Sequence, residues 1–184
     1  MGTPLEQWVE QAAAITRPKR VVWCDGSLED RERMVELLLA EGRTARLNEK
    51  TYPGSILHRS DPTDVARTEH LTYICTRSRD HAGPTNNWMA PAEAKEIAGK
   101  LLSGSMADRT MYVIPYLMGP AGSPMTRAGV EVTDSPYVVA SMSIMARVGR
   151  AALDRIGNGQ DFVPTTADPQ GLSEVQAALH ADGL

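Results

Sequence analysis

The chain has 184 residues, a formal charge of -4 and 42% apolar residues. That length suits one domain with a core of its own. The acidic balance argues against a nucleic-acid binder that works through a broad basic surface, and the apolar content argues against disorder. No apolar run approaches a membrane span, and the opening MGTPLEQWVEQ lacks the basic and then apolar blocks of a signal peptide, so a cytoplasmic protein is expected.

In chain order, Pro4 to Thr16 reads as a helix with Trp8, Ala12 and Ile15 on one face. Arg20 to Asp25 is a short buried strand closed by the Asp25-Gly26 turn. Ser27 caps the next helix, with Asp30 completing an approximate capping box. Met34, Leu37 and Leu38 form its apolar stripe, and Gly42 stops it. Arg43 to Arg59 reads as irregular, with one short strand near Ala45 to Leu47. Asp61-Pro62 opens a helical turn. A strand is expected over Leu71 to Thr76, then a polar loop over Arg77 to Asn87 and a helix over Pro91 to Leu102 ended by Gly104. Arg109 to Met118 is the strongest strand, which Pro115 should bend or place at an edge. The loop Gly119 to Pro124 leads to a strand over Gly129 to Thr133. A helix over Pro136 to Val148 breaks at Gly149 and resumes to Ile156. Leu172 to His180 reads as a last amphipathic helix. The fold class is therefore α/β, a mixed β-sheet flanked by helices.

Most chemistry-bearing patterns are absent from this sequence. The glycine-rich loop after the strongest strand has no lysine and leads to a strand, whereas a phosphate cradle leads to a helix N-terminus. His58, His70, His81 and His180 are scattered rather than set at ligand spacing. Cys24 and Cys75 lie in apolar runs and read as reduced core thiols. No cofactor and no metal is expected. One segment stands out: Arg59-Ser-Asp-Pro-Thr-Asp-Val-Ala-Arg-Thr-Glu69 gathers two arginines, two aspartates and a glutamate around a helical turn. A guanidinium is a planar double donor suited to carboxylate or phosphate. On residues alone two readings fit: an anion site, or arginines paired to their own aspartates.

RSDPTDVARTE, then GPTNNW at Gly83 to Trp88, DRTMYVIPYLMGPAGSP at Asp108 to Pro124 and GVEVTDSPYVVASMSIMARVG at Gly129 to Gly149 together resemble the GTP-dependent phosphoenolpyruvate carboxykinases. VVWCDGS at Val21 to Ser27 fits as well. The resemblance covers about residue 5 to Pro164 and is to the N-terminal, substrate-side domain of that family, so the chain reads as a truncated homologue. It implies a domain over 1–164 and a divergent tail with a short helix over 165–184.

The resemblance also implies roles. Arg67 matches the arginine that contacts the substrate's carboxylate and phosphate side, and Glu69 matches a glutamate linked to closure of the active-site lid. The family's nucleotide loop, metal ligands and lid follow the matched region, and the tail reads as a natural end. The expectation is thus a stand-alone domain that binds a small carboxylic or phosphorylated acid through Arg67, with Arg59 nearby. It would be repurposed for chemistry independent of metal and GTP, such as decarboxylation, isomerisation or cyclisation. Glu69, His70 and Tyr73 are the acid/base candidates beside Arg67. The alternative is a non-catalytic interaction protein, a homo-oligomer or a partner's scaffold, that uses the former interdomain face, with Val175, Ala177 and Leu179 of the tail as cover.

Overall fold

The computed structural model describes residues 2–59, 69–157, 159 and 161–167. The segment 60–68, with Asp61, Pro62 and Arg67, and the tail with the helix expected over Leu172 to His180, lie outside the described residues. Five α-helices are described: α1 (Pro4–Thr16), α2 (Leu28–Ala40), α3 (Pro91–Leu102), α4 (Pro136–Met145) and α5 (Arg150–Ile156). The strands are β1 (Arg20–Trp23), β2 (Thr44–Arg46), β3 (Ile56–His58), β4 (Tyr73–Ile74), β5 (Asn87–Trp88), β6 (Thr110–Met118), β7 (Arg127–Thr133), β8 (Arg147–Val148) and β9 (Val163–Ala167).

The main sheet has the order β1-β6-β7-β9, with β8 also paired to β6. β1 runs parallel to β6, β7 antiparallel to β6, and β9 parallel to β7. The sheet is mixed and helices flank both faces, as the pattern of elements implies. Period-two alternation along β6 creates the two faces. Met111, Val113 and Leu117 join Ala128, Val130 and Val132 of β7 under Leu5 and Val9 of α1 and Ala152 and Ile156 of α5. Tyr112 and Ile114 point the other way, into Cys24, Met34 and Leu38, with Val139 and Ala140 of α4. Each large side chain so buried contributes about 1.5–3 kcal/mol.

Local signals set most helix starts. Thr3 forms a full capping box with Glu6: its hydroxyl accepts from Glu6 N–H at 3.2 Å, and the Glu6 carboxylate accepts from Thr3 N–H at 2.7 Å. Ser27 caps α2 by accepting from Asp30 N–H at 3.1 Å. Along α1, Trp8 and Ala12 pack on the core as expected. Ile15 does not: it is 44% exposed, because Leu5, Val9 and Thr16 carry the axis of the stripe.

Several expectations are corrected. β6 is central and not an edge, despite Pro115. Its outer side is shared by two short strands, β1 at residues 110–113 and β8 at 116–117. Pro115 falls between them. Its carbonyl accepts from Gly149 N–H at 2.8 Å, so its nitrogen, which has no hydrogen to donate, faces the gap. The helix expected to reach Val148 stops at Met145. Ala146 turns extended, at φ -135 and ψ 170, because β1 ends below Tyr116 and Leu117 and leaves them a place for β8. β3, β5 and β9 were not expected. β9 carries Pro164 without penalty because it lies on the sheet edge.

The two cysteines also part company. Cys24 is buried in the second core cluster, and burial pushes its thiol up to about 12. Cys75 is exposed: it follows β4, which pairs only with β5 and lies outside the main sheet. One equivalent of iodoacetamide should therefore label the native chain, at Cys75, and two the chain in urea. Intact-mass spectrometry reads this directly, and double labelling under native conditions would contradict the packing of Cys24.

At the ends of β6 and β7, the guanidinium of Arg109 meets the carboxylate of Asp134, Nε to Oδ2 at 2.7 Å, and donates to the carbonyl of Ser105 as well. The Asp134 side chain is fully buried. On the β7 face shared with Tyr116, Glu131 is half-buried, and among the described residues its carboxylate accepts one hydrogen bond, from Thr165 Oγ1 at 3.5 Å. Burial raises its carboxyl above the ordinary 4.5, and the Thr165 bond only partly opposes this. An acid with a raised pKa in the fold takes up protons on folding. Its contribution is therefore favourable at low pH and is lost as pH rises from about 4.5 through the folded value. Glu131→Gln should then be more stable than the wild type at neutral pH, with the difference shrinking to nothing in acid. Urea unfolding from pH 4 to pH 8 measures it, and a pH-independent difference would be the contrary result.

Candidate anion-binding site

The segment that carries Arg67 leaves β3 at His58 and returns at Glu69. Arg59, its first residue, is exposed. Arg67 itself lies outside the described residues. The return is well defined. Glu69–Leu71 form a single 3-10 turn, and β4 follows. β5 runs parallel to β4 and pairs Tyr73 with Asn87 and Ile74 with Trp88.

Side chains of the second loop hold this return in place. The Asn87 amide donates to the carbonyl of Glu69 at 2.8 Å and to that of Thr72 at 3.2 Å. Trp88 Nε1 donates to the carbonyl of Thr76 at 3.0 Å, and Asn86 Nδ2 to that of Ala82 at 2.7 Å. Ser78 caps the short turn Arg79–Ala82 by accepting from Asp80 N–H at 3.3 Å, and Gly83 then adopts φ 81. So two strands of two residues each, too short to persist by pairing alone, are fixed by amide and indole donors.

Glu69, His70 and Tyr73 fall on this stretch and are all exposed. Among the described residues no hydrogen bond or ion pair joins their side chains to one another. They are neighbours that face solvent, and they do not form a preassembled relay. Nor do any three His, Cys, Asp or Glu residues come together at metal-binding geometry among the described residues. No helix among them is long and apolar enough to cross a membrane.

Reading the residues missed Asn87 as the tether and Trp88 as its companion. A signal existed: paired asparagines after Gly-Pro-Thr mark a loop whose side chains bond to backbone. What they would bond to was invisible, because the carbonyls of Glu69 and Thr72 come near only through the fold.

The architecture is that of an α/β domain: a mixed sheet between two helical layers, with two further two-stranded sheets, β2–β3 and β4–β5. The family profile described as the phosphoenolpyruvate carboxykinase N-terminal domain matches residues 7–169, and the chain belongs to that family. Relatives include the protein named phosphoenolpyruvate carboxykinase [GTP] of Anaeromyxobacter dehalogenans, 49% identical over 155 residues, which is 84% of this chain and 26% of the relative. The protein of the same name from Neocallimastix frontalis is 50% identical over 159 residues, 86% of this chain and 26% of its own length. That of Corynebacterium jeikeium is 45% identical over 172 residues, 94% of this chain and 27% of its own. The chain thus spans about a quarter of the length of the relatives it matches.

Proposed function

We propose that this domain binds a small carboxylic or phosphorylated acid through Arg67, with Arg59 as a second guanidinium on the same segment. One observation carries the reading: Asn87 commits its amide to the carbonyls of Glu69 and Thr72, two and five residues past Arg67. A tethered backbone two residues past an arginine is the kind of support that a bidentate anion contact calls for. The relatives' name contains phosphoenolpyruvate, so that acid is the first ligand to try.

The experiment is isothermal titration of the purified chain with phosphoenolpyruvate, oxaloacetate and malonate, repeated for Arg67→Ala. At least one acid should bind, and Arg67→Ala should weaken it by about tenfold or more, the loss of a charge-assisted hydrogen bond worth roughly 1.5–3 kcal/mol. Equal affinity in the variant would remove Arg67 from the site. Chemistry on the bound acid without GTP or metal is the second part of the proposal, with Glu69, His70 and Tyr73 as the proton-transferring groups. Pyruvate formed from oxaloacetate faster than in buffer alone, without GTP or manganese, would support it. Turnover only when both are added would overturn it.

A second reading, an interaction protein, has its own observation. Met118 and Met125 at the β6–β7 hairpin are 59% and 80% exposed, and Ile144 and Met145 at the end of α4 are both 70% exposed. Arg147 Nη1 donates to the carbonyl of Gly119 at 3.0 Å and brings the two groups to one end of the sheet. Exposed apolar groups of this size mark contact surfaces. Light scattering that shows a dimer, lost on Ile144→Asp while acid binding persists, would favour this reading. A monomer at high concentration would count against self-association there.

A further inference from the structure

Two polar side chains, Thr44 buried and His58 half-buried, lie opposite each other before the Arg67 segment. Thr44 opens β2, His58 ends β3, and the antiparallel register sets them directly opposite each other. Opposed residues project to the same face of the pair, with Cβ atoms about 5 Å apart. Thr44 is only 8% exposed, yet its Oγ1 has no hydrogen-bond partner among the described residues. The same holds for His58 Nδ1, which is equally sealed from solvent. The imidazole is not loose, since it stacks on the ring of Tyr137 in α4 with centroids 4.0 Å apart and planes at 21°.

A hydroxyl and a ring nitrogen left unsatisfied in a packed site are destabilising, and proteins meet such pairs with an ordered water when the two atoms share a face but do not reach each other. The hydroxyl can donate or accept, and neutral imidazole can do either at Nδ1 according to its tautomer, so the chemistry of both atoms suits one water. His58 is also the last strand residue before the Arg67 segment, and the tethered Glu69 begins the turn after it.

We propose that a single buried water bridges Thr44 Oγ1 and His58 Nδ1, and that this clamp, backed by Tyr137, is a positioning device that fixes where the chain enters the Arg67 segment. The described residues on either side of the segment are then both held, His58 by the clamp and Glu69 by Asn87. The positioning part rests on the reading of Arg67 as the anion contact. The water part does not.

The test uses the whole chain with Thr44→Val, His58→Phe, the double variant and His58→Asn, each measured by urea unfolding and by titration with phosphoenolpyruvate. Thr44→Val and His58→Phe each leave the water with one partner. Each should lower the unfolding midpoint and weaken binding by about tenfold, the size of effect typical for a group that orients a binding residue. The double variant should lose no more than the worse single, because both variants remove the same bridge. His58→Asn gives up the stack but returns a polar atom near the place of Nδ1, and should regain part of the affinity that His58→Phe loses. Additive losses in the double variant, or a crystal structure of the wild type with a direct Thr44–His58 bond and no water, would overturn the clamp. Lowered midpoints with unchanged affinity would reduce it to a structural contact and overturn its positioning role. If the wild type binds no acid, or Arg67→Ala binds as well as the wild type, the anion reading falls instead, and the unfolding cycle still decides the water.

Discussion

Gly149→Ala should lower the stability of this domain by about 4 kcal/mol, with the loss read as a drop in the urea midpoint. The reason is a close approach of two backbones. Gly149 has φ 89, a conformation that L-residues rarely adopt. A Cβ there would sit 1.7 Å from the carbonyl oxygen of Asp25 and 2.1 Å from its carbon. Facing it, a Cβ on Gly26 would lie 2.1 Å from the carbonyl oxygen of Val148. The end of β1 and the end of β8 therefore cross with no room for a side chain on either. Gly42→Ala is the control. Gly42 also has positive φ, at 69, but a Cβ there meets nothing within 4 Å, so only the backbone term of about 1–2 kcal/mol should appear. Equal losses at the two positions would mean that the crossing is looser than described.

The second large effect is expected at the ion pair between β6 and β7. Arg109→Met takes the cation from a carboxylate that has no exposure to water, and should cost about 3–5 kcal/mol. Pairing it with Asp134→Leu should recover much of that loss, since an apolar pair of similar volume needs no solvation. Urea unfolding of the two single variants and the double variant measures the coupling. A loss below about 1 kcal/mol for Arg109→Met would show that the pair is more solvated than its burial implies.

Much of the scaffold could be read from the residues, and for local reasons. α1, α2 and α3 announce themselves by Pro4, Ser27 and Pro91 at their starts, and β6 by its run of apolar residues. The misreadings share a different cause. Pro115 suggests an edge strand, and only the gap between β1 and β8 makes it harmless in the centre. Arg147 and Val148 continue a helical pattern, and only the open side of Tyr116 and Leu117 turns them into a strand. Cys75 sits in a run that reads as core, but it follows a two-residue strand, β4, that pairs only with β5. Partners distant in the chain decided each of these.

The site divides in the same way. The arginines, the aspartates and Glu69 are visible as a cluster, and the family could be named from strings such as SDPTDVARTE. The contacts of the residues that flank the segment were not visible. Asn87 works through backbone carbonyls, which have no sequence signature. Thr44 and His58 matter as a pair only once the β2–β3 register is known.

The crossing at Gly149 also has a consequence in time. β1 waits for β6, whose first residues follow ninety positions later, as the bond from Arg20 to Thr110 shows. The free edge beyond Pro115 stays open until Val148 has been made. The sheet is built from contacts of high sequence separation, and such topologies pay their loop-closure entropy before any contact rewards it. A growing chain therefore leaves the ribosome with its central strand half-paired and its apolar faces uncovered. That makes the nascent domain, rather than the finished one, the form most in need of a chaperone.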